Sequence, residues 1–173
     1  MEFVVLVDEN DLQIGKMEKL EAHQKGLLHR AFSVLIFNDK GEMLIHQRAA
    51  DKYHCGGLWT NACCSHPREN ESITQAAERR LMEEMGFSVK TYPLKQFIYK
   101  ASFSNGLIEH EFDHIVTGIY NDTPKPNPEE VMDFKFVALN KLEKDIKENP
   151  KKYTPWFRII VEEHLQNSTI QNT

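Results

Sequence analysis

Glu109 and Glu111 stand two apart in the stretch Leu107 to Tyr120, whose β-branched and aromatic content reads as a strand. Side chains two apart on a strand share a face, so both carboxylates point one way, Asp113 joins them, and His110 points to the other side. Acids alone in this pattern describe a solvated strand face. Histidines elsewhere supply partners: His23 and His29 lie ahead of a first hairpin, and His66 follows Cys64 closely. Imidazoles with carboxylates suit zinc, manganese or iron. Ligands contributed by separate strands have no diagnostic spacing, so the set does not identify itself. His46, His54, His110, His114 and His164 have no motif around them and read as surface or internally satisfied side chains. The 3 cysteines, with Cys63 and Cys64 adjacent, make a poor disulfide framework and point to reduced thiols. Cys64, within Thr60 to Pro67, is the candidate reactive thiol. Cys63 points away from it on extended backbone and reads as a small buried hydrophobe.

The elements that must position these groups follow from periodicity and turn chemistry. Met1 to Val7 is strand-like, and Ala31 to Phe37 and Met43 to His46 flank Asn38-Asp39-Lys40-Gly41 as a hairpin. Ser72 and Gln75 have capping-box spacing ahead of Ile73, Ala76, Ala77, Leu81 and Met85 at helical intervals, with Gly86 as the stop. Phe97 to Phe103 and Leu107 to Tyr120 form a second hairpin about Ser104-Asn105-Gly106. Asp133 to Val137 is one more strand, Asn140 caps a short helix through Glu148, and Thr154-Pro155 opens a last helix carrying Trp156, Phe157, Ile160, Val161 and Leu165. The sum is an α+β fold, a mixed β-sheet packed between helices.

A chain of 173 residues, 40% hydrophobic and 27% charged, without repeats or linkers, is expected to form one domain over 1–173, its polar tail 166–173 frayed. A net charge of -5 argues against a general nucleic-acid or anionic-membrane surface, so an anionic ligand must be met by a local basic cluster. No apolar run approaches the roughly 20 residues that cross a bilayer, and no signal peptide is evident at the start. The expected location is the cytoplasm, with no membrane partner.

Glu71, then Arg79 and the run Arg80-Leu81-Met82-Glu83-Glu84-Met85-Gly86-Phe87, is similar to the Nudix signature, in which helix glutamates hold magnesium against a diphosphate. Two positions depart from it: Ser65 stands for the family glycine, and Arg79-Arg80 for an Arg-Glu pair. Arg80 with Glu84 also fits a plain i,i+4 surface pair worth a few tenths of a kcal/mol. A base in place of a metal-binding acid argues against hydrolysis of nucleoside diphosphates. With Trp59-Thr60-Asn61-Ala62-Cys63-Cys64-Ser65-His66-Pro67 ahead of the helix, Glu109-His110-Glu111 downstream and Pro155-Trp156 near the end, the chain resembles the type I isopentenyl diphosphate isomerases. The likeness runs from about Lys16 to about Leu165 and keeps every motif in order.

The resemblance implies a Nudix-like fold and interconversion of isopentenyl and dimethylallyl diphosphate, with protonation and deprotonation on opposite faces of an alkene. It implies Cys64 on one face and Glu111 on the other, leaving open which protonates first. It places Mn²⁺ or Zn²⁺ on His23, His29, His66, Glu109 and Glu111, and Mg²⁺ between Glu84 and the diphosphate. Lys19, Arg48, Lys52 and Arg80 match a diphosphate clamp, Tyr99 a hydrogen-bond partner of the glutamate, and Trp156 a ring facing the carbocation. Without the resemblance, both aromatics are ordinary core or rim residues. No organic cofactor is expected, since neither a flavin fingerprint nor the length of an α/β-barrel is present. Two rivals are a Nudix pyrophosphohydrolase and a zinc-binding module on Cys55, Cys63 or Cys64 with His66. The second lacks the close Cys or His pairs of structural zinc sites.

Overall fold

The structure, a computed structural model, describes residues 1–165, so the expected frayed tail 166–173 lies outside the described residues. Its strands are β1 (Phe3–Val7), β2 (Gln13–Glu18), β3 (His29–Phe37), β4 (Glu42–Arg48), β5 (Trp59–Thr60), β6 (Cys63–Ser65), β7 (Tyr92–Ser102), β8 (Ile108–Ile119) and β9 (Val131–Ala138), hydrogen-bonded into one mixed sheet. Helices α1 (Lys19–Lys25), α2 (Ile73–Met85), α3 (Leu139–Glu148) and α4 (Pro155–Ile159), the last continuing as a π turn over Ile160–His164, complete an α+β architecture.

Strand β3 is the hub. Apart from Arg30 it is buried along its length, as expected of a strand covered on both faces. Phe32, Val34 and Ile36 pack with Ala76, Ala77, Leu81 and Met85 of α2. Leu35 and Phe37 pack on the other side with Leu142 and Ile146 of α3 and with Trp156, Phe157 and Ile160. Each such fully buried aliphatic or aromatic side chain contributes about 1.5–3 kcal/mol. The sheet is therefore sandwiched between helices, as the sequence predicts.

One edge of β3 pairs in parallel with β8 from His29↔Glu111 to Phe37↔Ile119. The other edge is shared among short partners, and here the expected hairpin differs. β3 and β4 pair only at Phe37↔Met43, after which β4 turns away to pair with β9 and β5. β6 enters the gap and pairs with β3 at Phe32↔Ser65, Ser33↔Cys64 and Val34↔Cys63. Hairpin spacing was a sound local signal. What opened the strands is that the Trp59 to Ser65 segment buries itself between them, and this opening is what seats Cys64.

Helix α2 follows its sequence closely: Ser72 and Gln75 form a reciprocal capping box, and Gly86 ends the helix at φ 75. A Cβ at Gly86 would meet the Lys125 carbonyl oxygen at 2.1 Å, so only glycine fits. The α3 cap is corrected: the helix begins at Leu139 after Ala138, with no side-chain cap, and Asn140 bonds the Lys141 amide from inside the first turn. Helix α1 and strands β2, β5 and β6, none of them predicted, have at most 7 residues each, too short for periodicity to register.

Candidate active site

The parallel β3/β8 register sets His29 beside Glu111, and the antiparallel β7/β8 ladder sets Tyr99 across from Glu111. His23 arrives on α1, His66 follows β6, and Glu109 lies one pleat before Glu111. One donor atom from each of His23, His29, His66, Glu109 and Glu111 lies within 4.8 Å of all the others, and all five residues are buried. His23 Nδ1 is 2.6 Å from the Lys19 carbonyl oxygen and His29 Nδ1 is 2.9 Å from that of Leu27. Those nitrogens must donate, which turns the Nε2 lone pairs inward. Both Nε2 atoms and Glu109 Oε2 are sealed from solvent with no hydrogen-bond partner. Orphaned buried polar atoms are costly, and this convergent N/O set fits a divalent cation. Among the described residues the cluster with ligand geometry contains no cysteine, contrary to a Cys-based zinc module.

Electrostatics in the cluster are set by burial first. Burial pulls the His66 imidazole down to about 3, so it is a neutral ligand-type nitrogen. At Glu109 burial opposes the charge, but the neighbouring Glu111, His23 and His54 side chains together overcome it and hold the carboxyl well below the usual range. At Asp113 burial and the neighbouring Glu111 charge both push the carboxyl well up, and Ser33 Oγ donates to its Oδ2 at 2.7 Å. Tyr99 donates its hydroxyl to Glu111 Oε2 at 2.9 Å, while Glu111 Oε1 lies 3.2 Å from His66 Nε2 and 3.6 Å from His29 Nε2.

Cys64 and Cys63 do point to opposite sides. Cys63 is fully buried against the α2 layer, whereas Cys64 packs toward Trp156. The Cys64 thiol donates to Asn61 Oδ1 at 3.0 Å and accepts from Trp156 Nε1 at 3.0 Å. Asn61 is locked, because its Nδ2 donates to the Val34 and Cys63 carbonyls at 3.0 and 2.8 Å. Burial pushes the Cys64 thiol up to about 12.

Cys64 and Glu111 come from strands on opposite edges of β3 and line one cleft of about 280 Å³ with Tyr99 and Trp156. Lys19, Arg48, Lys52, Arg80 and Glu84 line it too. Its cations are only partly satisfied: Lys19 reaches Glu2 at 3.2 Å, Lys52 pairs with Glu130, and Arg80 with Glu83 and Glu84. Arg48 Nε and Arg80 Nε are buried without partners. The cleft thus gathers four cations, three of them shared with nearby glutamates, beside an orphaned N/O cluster.

Every residue expected at the site is found at the cleft or in its adjoining cluster. His54 is a correction. It is neither at the surface nor internally satisfied: it lines the cleft, its Nε2 lies 2.5 Å from Glu109 Oε1, and its Nδ1 is buried without a partner. Glu130, which pairs with Lys52, and Ser33 and Asn61 around Cys64 were also missed as members of the site. The only local hint for His54 was its place between Lys52 and the glycines at 56 and 57. His46 lies in the core as expected, pulled down to about 3 by desolvation and then by Arg48, but its Nδ1 too is buried without a partner, so it is not fully satisfied.

A NUDIX domain model matches residues 27–157. An Isopentenyl-diphosphate Delta-isomerase of Serratia proteamaculans is 47% identical over 162 residues, 94% of this chain and 90% of that protein. Isopentenyl-diphosphate Delta-isomerase 2 of Photorhabdus laumondii is 49% identical over 92% of this chain and 90% of its own length. Among solved structures, DR0079 from Deinococcus radiodurans superposes with a TM-score of 0.76 at 17% identity, over 92% of this chain and 97% of that one, a likeness of fold alone.

Proposed function

This chain belongs to the NUDIX family and, within it, to the isopentenyl-diphosphate Delta-isomerases, and from that membership we infer how its cleft works. It is an enzyme that interconverts isopentenyl and dimethylallyl diphosphate, a small diphosphate substrate. The observation that carries the residue assignment is that a half-buried thiol and a buried carboxylate from opposite edges of β3 line one cleft together with four cationic side chains.

Lys19, Arg48, Lys52 and Arg80 would hold the diphosphate, and Glu84 would hold a Mg²⁺ ion that supplies further positive charge to it. His23, His29, His66, Glu109 and Glu111 would hold Mn²⁺ or Zn²⁺, which when bound would supply positive charge that strengthens the adjoining acid. Cys64 and Glu111 flank the alkene. One gives a proton to the terminal methylene carbon, leaving a tertiary cation, and the other removes a proton from the carbon next to the one bearing the diphosphate oxygen. Proton count is conserved, and the double bond has moved by one position. The Trp156 ring, 3% exposed, can stabilise the cation by about 2 kcal/mol or more in so dry a site. Tyr99 orients Glu111 through its hydroxyl. No helix among the described residues is long and apolar enough to cross a membrane. The three free thiols suit a reducing compartment, and on that ground we place the enzyme in the cytoplasm; we read the chain as one domain, whose net charge of -5 argues against a nucleic-acid partner.

Isopentenyl diphosphate incubated with the enzyme and Mg²⁺ in deuterated water should yield dimethylallyl diphosphate carrying deuterium in a methyl group. Release of phosphate with no deuterated product would overturn this reading in favour of hydrolysis.

The loop 49–58 carries Lys52 and closes on itself. A Cβ at Gly56 would lie 2.4 Å from the Ala50 carbonyl oxygen. Gly56→Ala must therefore displace the loop, and misplacing a binding group by an ångström can cost up to about 10²-fold in kcat/KM. The loss should appear mainly in KM, measured by steady-state kinetics; an unchanged KM would remove Lys52 from the clamp.

A further inference from the structure

His54 sits at a junction of two functions. Its Nε2 lies 2.5 Å from Glu109 Oε1. A carboxylate oxygen only accepts, so Nε2 carries the proton and Glu109 is left with Oε2 facing the other cluster donors. Its backbone carbonyl accepts from Arg48 Nη2 at 3.2 Å. Its ring packs among Tyr53, Phe103 and Trp156, with centroids 4.1, 5.3 and 5.6 Å away. The only side-chain hydrogen bond that the loop 49–58 sends into the His/Glu cluster is this one, among the described residues.

We propose that His54 is a positioning residue that couples the two ends of the cleft, binding one oxygen of Glu109 so that the other meets the ion, and anchoring the loop that carries Lys52 and braces Arg48. This rests on the metal reading above. An ion taken up by the cluster fixes Glu109, and a fixed acceptor holds its donor. Filling the His/Glu site therefore orders the diphosphate-binding loop. The coupling is reciprocal by thermodynamic necessity, so an ordered loop tightens the ion in turn. Partners that orient a metal ligand in this way typically contribute 10- to 100-fold in metal affinity.

Hydrogen exchange of a peptide spanning 49–58, measured with and without Mn²⁺ alongside metal stoichiometry, tests this. In the wild type Mn²⁺ should slow exchange across the loop. His54→Ala should bind Mn²⁺ about 10-fold or more weakly, and at saturating Mn²⁺ its loop should exchange as fast as in the metal-free protein. His54→Gln, whose amide can still donate to Glu109, should recover part of both effects. His54→Asn, too short to reach, should behave as the alanine variant does and stands in for it if that variant fails to fold. KM should rise more than kcat falls. A loop that Mn²⁺ slows equally in wild type and His54→Ala, or one indifferent to Mn²⁺ in a wild type that binds the ion, overturns this inference and leaves the metal reading standing. A wild type that takes up no ion overturns both.

Discussion

Glu111→Gln should leave a folded protein whose kcat is lower by about 10⁴-fold or more, the upper end of what a single acid-base group contributes. The substitution keeps shape but turns one acceptor oxygen into a donor and removes the ability to carry a proton. It also sets an amide N–H₂ against Tyr99 Oη, which now donates to Glu111 Oε2, or against His66 Nε2, 3.2 Å from Oε1. Burial pushes the Tyr99 hydroxyl well above its ordinary range, so it stays a neutral hydroxyl that can donate to the glutamine carbonyl oxygen or turn to accept from its amide. Stability should change little, because a buried charge is lost together with its desolvation cost. Circular dichroism and thermal melting would establish the fold, and single-turnover kinetics the chemical step. Activity above about one per cent in a folded variant would remove Glu111 from the proton-transfer pair.

Cys64→Ser should lower kcat by about 10³-fold while leaving KM nearly unchanged. The hydroxyl keeps both partners of the thiol, Asn61 Oδ1 and Trp156 Nε1, so positioning survives. What changes is acidity, since an alcohol is a far weaker acid than a thiol. None of the diphosphate clamp residues hydrogen-bonds Cys64 Sγ, hence the split between kcat and KM. A serine variant with a tenth of the wild-type rate would show that the thiol proton does not enter the reaction. The raised thiol adds a pH signature. With its value at about 12 against an ordinary 9.0, the folded state holds a proton that the unfolded state releases. The stability this represents is complete below 9 and is lost as pH rises toward 12. Iodoacetamide needs the thiolate, so inactivation should be slow near neutrality, accelerate with pH, and be blocked by substrate.

Local rules reached far into this protein. A two-residue period put Glu109, Glu111 and Asp113 on one buried face and His110 on the other, where its Nδ1 meets the Gly26 carbonyl. Capping chemistry located α2, and the alternation of extended backbone separated Cys64 from Cys63. These succeeded because the information lies within a few bonds of the residue concerned. The short elements were not legible: α1, which delivers His23 and Lys19, spans 7 residues and is held by Glu18 accepting two backbone N–H groups and by Gly26 at φ 65. So few residues cannot express a helical period.

By itself, then, the sequence determined the chemical types available, their order along the chain and the face each presents within its own strand or helix. Tertiary structure decided which strands meet. That β3 takes β8 in parallel, placing His29 at Glu111, and admits β6 rather than continuing with β4, placing Cys64 at Ser33, follows from burying both faces of β3 at once. Strand pairing of this kind is a global property of the whole core, set by contacts between segments far apart in the chain. For the same reason His54, which no local pattern distinguished from an ordinary loop residue, was assigned its place only when the loop 49–58 folded over Glu109.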